Sequence, residues 1–166
     1  MAEIFTTYYH SPVGVMEIKG TSTHIASILY REEAPEMDAA LPPVLQMCVE
    51  QLSEYFAGVR QVFTLPFAQT GTDFQQKVWQ ALASIQYGET VSYMNIALKL
   101  GDAKSIRAVG NANGKNKLNL VVPCHRVIGS NGKLVGYGGG LWRKQWLLEH
   151  EAKIAKGILS LFRPTT

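Results

Sequence analysis

Apolar and polar residues alternate along the first thirty positions, a pattern typical of antiparallel β-strands. Strands rich in β-forming residues are predicted from Ile4 to Tyr9, from Val15 to Ile18 and from His24 to Tyr30. The sequence Ser11-Pro12-Val13-Gly14 predicts the turn between the first two strands. An acidic loop is expected from Arg31 to Asp38. The pattern therefore indicates a three-stranded meander.

A helical pattern replaces the strand pattern from Pro43 to Ala57, and Gly58 supplies its end. The apolar residues that recur at helical spacing are Val44, Met47, Cys48, Leu52, Tyr55 and Phe56. Because Cys48 lies on this apolar stripe, we expect it to be a buried core thiol. A further short strand is predicted from Val62 to Phe67.

A second unit is predicted to begin near Gly71, where Thr72 and Gln75 form a capping box at the start of a helix. The apolar face of that helix consists of Phe74, Val78, Trp79 and Leu82. The sequence Tyr87-Gly88-Glu89 then predicts a turn.

Two short helices follow this turn. Ser92 caps the first, from Tyr93 to Leu100, and Gly101 ends it. The second is predicted from Ala103 to about Ala112. Two short helices separated by a few residues around a glycine match a helix-turn-helix outline, although many small helical domains share that outline.

These elements predict an α+β fold with two domains. Residues 1–70 form an N-terminal domain with an antiparallel sheet and a helix, and residues 71–166 form a mainly helical C-terminal domain with a helix-turn-helix-like unit. A chain of 166 residues with 46% hydrophobic content can build a small domain beside a larger one.

No apolar run approaches ~18 residues, so no membrane-spanning helix is predicted. Two distant cysteines and an N terminus without a signal-peptide pattern favour a reducing cytoplasm.

Charge is distributed very unevenly along the chain. Residues 1–102 hold five Lys or Arg against eleven Asp or Glu, whereas residues 103–148 hold eight Lys or Arg and no acid. The modest net charge of +3 hides this asymmetry. An acid-free basic segment is a solvated face in many proteins, but here small residues and Asn are interleaved with the charges. That interleaving favours a polyanionic partner, in particular nucleic acid.

The predicted helix from Ala103 to Ala112 is rich in small residues. Ser105, Ala108, Gly110 and Ala112 are small, and Arg107 stands among them as a long cation. Small residues allow close approach to a groove of DNA, and a lone Arg can then penetrate the duplex. Tight packing between helices requires small residues too, but Arg107 favours the DNA interpretation.

The candidate chemistry lies at Cys124, between Val122-Pro123 and His125-Arg126. The apolar residues Leu118 to Val122 predict a buried strand that leads to this cysteine. Nearby positive charge favours the thiolate form of sulfur, which is the nucleophile, so His125 and Arg126 indicate a reactive cysteine. Cys124 and the basic segment together indicate thiol chemistry on nucleic acid.

Several motifs in one order resemble the O6-alkylguanine-DNA alkyltransferase family, bacterial type. They are Tyr87-Gly88-Glu89, Ser92-Tyr93, Arg107-Ala108-Val109-Gly110, Asn116, Pro123-Cys124-His125-Arg126-Val127, Gly136-Tyr137-Gly138-Gly139-Gly140 and Trp146-Leu147-Leu148-Glu149-His150-Glu151. The resemblance runs from about Thr72 to Glu151. Residues 1–70 fit, less specifically, the variable RNase H-like N-terminal domain of that family.

The resemblance implies repair of alkylated DNA, with Cys124 as the acceptor of the alkyl group. His125 and Glu151 would form a relay that draws the proton off Cys124 through a water, because neighbours in an extended segment point to opposite sides. Tyr93 would donate a proton or hydrogen bond to the departing guanine, and Asn116 would tie the turn around the cysteine. The thioether product is permanent, so each molecule would act once and need no cofactor.

The resemblance also assigns a DNA-binding surface and a base pocket. The target base must leave the stack, and Arg107 would fill the space while its helix lies in the minor groove. The other DNA-binding residues would be Ser92, Ser105, Ile106, Ala108 and Gly110, and the pocket would be lined by Val127, Ser130, Tyr137 and Gly138. The expected partner is double-stranded DNA containing O6-alkylguanine, bound by a monomer, with cooperative assembly on DNA left open.

Two positions depart from the family pattern. Ile106 is bulkier than the Ala of many relatives, and Gly138 replaces a Ser or Ala, which removes a hydrogen bond to O6 or leaves room for larger alkyl groups. Some relatives bind zinc in the N-terminal domain, but only Cys48, His10 and His24 are available here, so no metal site is expected.

Two alternatives from other classes remain. A non-reacting sensor of alkylated guanine would lack a cysteine at position 124. A cysteine hydrolase using Cys124, His125 and Glu151 would need no basic groove and would leave Arg107 unexplained.

Overall fold

The computed structural model describes residues 2–35 and 40–157 of the chain. The predicted acidic loop therefore lies partly outside the described residues, as does the tail beyond Gly157. The described chain divides into two compact units. One contains the residues up to Thr70 together with Lys117–Asn119, and the other contains Gly71–Asn116 and the residues from Leu120 onward. The predicted α+β fold is confirmed.

The first unit is built on the predicted antiparallel meander. Its strands are β1 (Phe5–Ser11), β2 (Gly14–Gly20) and β3 (Ile25–Arg31), in the order β1-β2-β3. Helix α1 (Pro43–Phe56) packs against them. The core of this unit consists of fully buried residues from both elements, namely Met16, Ile18, Ile25, Ile28, Leu45, Cys48, Leu52 and Tyr55. Cys48 is thus a core thiol, as its position on the helical stripe predicted.

Two predicted strands are wrong. Between Val62 and Phe67 the chain makes only one isolated bridge to β3, where Ile25 N donates to Pro66 O at 2.9 Å. Pro66 has no backbone N–H, so it cannot donate to extend a ladder. Leu118 likewise makes a single bridge to Ile28, and the chain then turns, with a φ of 73° at Leu120. The apolar run there reflects burial rather than extended backbone.

The second unit is mainly helical. Its elements are α2 (Asp73–Ala83), β4 (Val91–Ser92), α3 (Tyr93–Lys99), a 3₁₀ turn (Ala103–Ser105), α4 (Ile106–Gly114), a second 3₁₀ turn (Cys124–Arg126), β5 (Val127–Ile128) and α5 (Leu141–Lys156). Both predicted N-terminal caps are present. Thr72 accepts from Gln75 N, and Ser92 accepts from Asn95 N, each within a capping box.

Packing within this unit brings its functional segments together. Helix α2 packs on α4, and Trp79 Nε1 donates to the carbonyl of Ala112 at 2.9 Å. Strands β4 and β5 pair in parallel, which joins the start of α3 to the residues after Cys124. Helix α5 packs against the turn that contains Cys124. Among the described helices, none is long and apolar enough to cross a membrane.

Candidate active site

Cys124 lies at the start of a single 3₁₀ turn, not in the extended segment that the sequence predicted. Arg126 N donates to Pro123 O at 3.0 Å, which closes the turn. Successive side chains of a 3₁₀ helix are about 120° apart, so Cys124 and His125 diverge for a different reason than alternation along a strand. The Cys124 residue is only 4% exposed.

The thiol of Cys124 is not activated by the charges next to it in sequence. Burial raises its pKa, and this outweighs a hydrogen bond with Asn116 and the positive charge of Lys144, both of which lower it. The guanidinium of Arg126 is instead engaged by Glu151, with Nε at 2.8 Å from Oε1. The expectation that flanking cations create a thiolate is therefore wrong for the resting protein. A base is required to remove the proton.

His125 is the residue of this turn whose side chain can act as a base. Its Nε2 lies 2.7 Å from Oε2 of Glu151, and both side chains are buried. The other ring nitrogen, Nδ1, is buried and has no hydrogen-bond partner among the described residues. The pKa of His125 is lowered, mainly by burial. The imidazole is therefore neutral at physiological pH and can accept a proton at Nδ1.

Two asparagines hold the backbone around the cysteine, and a tyrosine lies near its sulfur. Asn116 Nδ2 donates to Val122 O at 2.9 Å, and Asn113 Nδ2 lies 3.5 Å from Cys124 O. Tyr93 is close enough to Cys124 for the sulfur's charge to raise its pKa, with burial as the larger cause. The structure thus brings Tyr93, Asn116, His125 and Glu151 together around Cys124.

Lys144 is a site residue that sequence reasoning missed. It is fully buried on α5, and its Nζ donates to Val135 O at 2.8 Å and Gly136 O at 3.2 Å. The Tyr93 hydroxyl donates to the same two carbonyls, at 3.2 and 3.4 Å. Burial lowers the pKa of Lys144 to about 8. Its spacing from Glu151 was a usable signal, because residues seven apart share one face of a helix.

The predicted DNA-binding residues lie at the end of β4, in the 3₁₀ turn before α4 and on α4. Arg107 and Ala108 are exposed, whereas Ser105, Ile106 and Gly110 are half-buried. A Cβ at Gly110 would meet no described atom within 4 Å, so packing inside this chain does not require a glycine there. Ala112, by contrast, is buried. The packing explanation therefore applies to the face of α4 that carries Ala112, whereas the face that carries Arg107 and Ala108 is exposed.

Of the four predicted pocket residues, only Ser130 lines the cavity found next to β4 and β5. This cavity of about 420 Å³ is lined by Ser92, Ile128, Ser130 and their neighbours. The other predicted pocket residues are not among those that line it: Val127 is fully buried, Tyr137 is half-buried and Gly138 is exposed. Among the described residues, no group of three or more His, Cys, Asp or Glu is placed to hold a metal ion.

Fold and site together define a two-unit α+β protein whose helical unit holds a buried cysteine beside a histidine–carboxylate pair. Two family models match this chain: the ribonuclease-like domain of 6-O-methylguanine DNA methyltransferase over residues 4–69 and its DNA binding domain over residues 73–153. The chain belongs to the 6-O-methylguanine DNA methyltransferase family.

Individual relatives agree with this assignment. The methylated-DNA–protein-cysteine methyltransferase of Mycobacterium tuberculosis is 44% identical over 92% of this chain and 94% of its own length. The constitutive enzyme of that name from Bacillus subtilis is 52% identical over 66% of this chain and 67% of its own length. The crystal structure of Mycobacterium tuberculosis OGT in complex with DNA matches with a TM-score of 0.81 and 43% identity, covering 89% of this chain and 92% of that one.

Proposed function

We propose that this protein repairs DNA by moving the alkyl group of O6-alkylguanine onto Cys124. The observation that carries the assignment is a buried thiol in the same turn as a buried histidine, whose Nε2 contacts a buried carboxylate at 2.7 Å. The names of the relatives support the reaction and the substrate. The relative crystallised with DNA supports the partner.

The reaction is a direct displacement at the alkyl carbon. The sulfur of Cys124 forms a bond to that carbon while the bond from the carbon to O6 of guanine breaks. The thiol proton passes to Nδ1 of His125, through a water where the two atoms do not touch. Glu151 accepts from Nε2–H, which orients the ring and stabilises the imidazolium that forms. The electron pair leaves with the guanine oxygen.

Tyr93 supplies the proton or hydrogen bond that the departing guanine needs. Its raised pKa keeps the phenol protonated at neutral pH, so it is a donor. Its hydroxyl donates to the carbonyls of Val135 and Gly136, which Lys144 also contacts. When Tyr93 turns its proton toward guanine, Lys144 keeps both carbonyls satisfied. The loss of the Tyr93 hydrogen bond therefore leaves each carbonyl oxygen with a donor.

Base flipping from the minor groove is part of the same proposal. The reacting base must leave the duplex because Cys124 cannot reach into a stack. Arg107 is exposed on α4 and would fill the vacated space, while Ala108 and Gly110 allow close approach of the backbone. Ser92 and Ser130 line the cavity beside β4 and β5, where they would contact the DNA strand or the extruded base.

A further part of the proposal is that each molecule acts once. The product is a thioether, which water does not cleave, and no residue of the described site removes an alkyl group from sulfur. We also place the protein in the cytoplasm, where a free thiol stays reduced.

Intact mass spectrometry after incubation with duplex DNA containing O6-methylguanine tests the assignment. We expect a gain of one methyl group, located on Cys124, and no gain in Cys124→Ser, which should still bind DNA. Cys48→Ala is the matched control, because Cys48 is a core thiol whose pKa is raised to about 12 by burial. Unchanged mass with intact binding would instead support a sensor, and cleavage of an ester or peptide would support a hydrolase.

A further inference from the structure

The carboxylate of Glu151 has two partners, and only one of them belongs to the relay of the proposed function. His125 Nε2 contacts Oε2 at 2.7 Å. Arg126 donates to both oxygens, from Nε to Oε1 at 2.8 Å and from Nη2 to Oε2 at 3.1 Å. Oε2 is therefore shared between an imidazole and a guanidinium. All three side chains are buried.

Arg126 is held in this position by further contacts. Its Nη1 donates to the backbone carbonyl of Ile85 at 2.7 Å. Its guanidinium carbon lies 5.6 Å from the centre of the Tyr87 ring, which is a cation–π distance. A two-pronged contact between arginine and carboxylate fixes orientation as well as charge. The ion pair is therefore a built part of the site and not a chance surface contact.

Charge balance in this buried cluster depends on Arg126. Glu151 and Arg126 sum to zero, so a neutral His125 leaves the three groups uncharged, and a protonated one adds a buried positive charge. Without Arg126, a neutral His125 would leave a lone buried carboxylate, and protonation of the imidazole would neutralise it. A buried unpaired charge is strongly unfavourable. The histidine would then hold its proton.

We propose that Arg126 is a positioning residue for alkyl transfer: by neutralising Glu151 it leaves His125 as an unprotonated imidazole that can take the proton of Cys124. This rests on the proposed function, in which His125 is the base. Arg126 touches neither the thiol proton nor the alkyl group in this proposal. It acts only through the carboxylate that it shares with His125.

The charged and titratable groups around His125 agree with this assignment. Burial is the largest cause of its lowered pKa; Glu151 opposes the shift, and the positive charges of Arg126 and of Lys144 on α5 contribute to it. Cys124 precedes His125 in the same turn and is a neutral thiol at rest. Tyr87, from the turn after α2, has a pKa raised to about 12 and stays neutral as well. Lys144 contributes in the same direction, but it is not among the groups that lower the pKa of Glu151, which are His125 and Arg126.

The test begins with the unmodified protein. The pKa of His125 is measured from its ring resonances by nuclear magnetic resonance, and we expect it to lie below the usual value for histidine, so that the imidazole is neutral at neutral pH. A His125 that is protonated at neutral pH in the unmodified protein would overturn the inference at once. This measurement does not depend on activity or on any variant folding.

The second measurement is the pH dependence of alkyl transfer from O6-benzylguanine in Arg126→Met and Arg126→Lys. In Arg126→Met, we expect the pKa of His125 to rise by about one pH unit or more. The acidic limb of the rate profile should move to higher pH by the same amount, so that the rate at a given pH on that limb falls about tenfold or more. Arg126→Lys keeps the charge and should return the limb toward its original position. Arg31→Met, which breaks the ion pair between the exposed Arg31 and the largely buried Glu17, is the matched control and should leave the profile unchanged.

A purely structural role would give a different result. It would lower the rate by the same factor at every pH, with no movement of the limb or of the His125 resonances, and that outcome would count against the inference. Failure of the proposed function is separate from this: alkyl uptake that persists in Cys124→Ser would remove the reaction itself, whatever the profile of the Arg126 variants.

Discussion

The chemical state of each group around Cys124 is set by burial and by its spatial partners. Arg126 follows Cys124 by two positions, yet its guanidinium forms an ion pair with Glu151. Lys144 is twenty positions away in sequence, yet its charge lowers the pKa of the thiol. Residue types near a cysteine in sequence therefore pointed to the candidate site but predicted the protonation state of its sulfur wrongly.

Lys144 gives a pH-dependent prediction at this scale. Its pKa is about 8 in the folded protein and near its usual value of about 10.5 when unfolded, so between those values the unfolded state binds more protons. This lysine's contribution to the free energy of unfolding therefore rises with pH across that window and is smallest below pH 8.

Urea unfolding of Lys144→Met at pH 8 and pH 10 checks this prediction. Between these two pH values, the free energy of unfolding should rise less in Lys144→Met than in the original protein, because the contribution of Lys144 is missing. Lys153→Met, an exposed lysine on the same helix, should retain it. An identical pH dependence in Lys144→Met and the original protein would show that the buried ammonium is not the cause.

Arg107 gives a second prediction for a single residue. It is exposed on α4 and makes no contribution to the described site around Cys124, so Arg107→Ala should slow transfer from duplex DNA by about a hundredfold while leaving reaction with free O6-benzylguanine unchanged. The measurement is the second-order rate with each substrate. Equal losses with both substrates would contradict a role in base flipping.

At the scale of elements, local signals predicted the structure where the determining interactions were local. The capping residues Thr72 and Ser92 begin α2 and α3 as expected, because a cap needs only residues three positions apart. The segments at Val62–Phe67 and Leu118–Val122 were predicted as strands because apolar β-formers are buried in them. Pairing is a non-local property, and each segment makes only a single bridge.

The site shows the same division. Cys124, His125 and Glu151 were recognised from motifs, and the structure brings them together. The contacts of Lys144 with Val135 and Gly136 could not be predicted, since they depend on how a glycine-rich loop passes α5. Cys124 lies in a 3₁₀ turn and not in the predicted extended segment. The prediction was wrong because the apolar residues before Cys124 have the sequence pattern of a buried strand.

Helix α4 allows stability and DNA binding to be separated. Gly110→Ala should stabilise the free protein by about 1 kcal/mol, because Ala is the better helix former and its Cβ meets no described atom. Affinity for duplex DNA should fall by about tenfold, since the added methyl group would hold the backbone away from the groove.

Thermal unfolding and a fluorescence anisotropy titration measure these two effects. Transfer from free O6-benzylguanine is the control and should not change. Loss of stability together with retained DNA affinity would indicate that Gly110 is required for folding instead of for binding.

For the whole molecule, the chain does not divide into units at one point. Lys117–Asn119 belong with the first unit, although the residues on both sides belong with the second. Ile28 N donates to Lys117 O at 2.8 Å, and Asn119 Nδ2 donates to Ile28 O at 2.8 Å. These three residues end five positions before Cys124, so the backbone that leads to the nucleophile is anchored on β3.

A fragment of residues 71–166 should therefore be impaired even though it contains every proposed catalytic group. Without β3, Leu118 loses its bridge to Ile28, and the Asn119 side chain loses the Ile28 carbonyl as its hydrogen-bond acceptor. We therefore expect a lower unfolding temperature and slower alkyl transfer to Cys124. Asn119→Ala in the complete chain isolates the hydrogen bond and should cost about 1 kcal/mol with little change in rate. A fragment as stable and as fast as the complete chain would show that this anchor is dispensable.

The passage of the chain through both units also limits how the molecule can be engineered. Anyone who wished to shorten it into a compact self-labelling tag would have to rebuild a substitute for one edge of a β-sheet, not simply choose a cleavage point. Circular permutation between the units meets the same obstacle, because the chain passes from one unit to the other at three points.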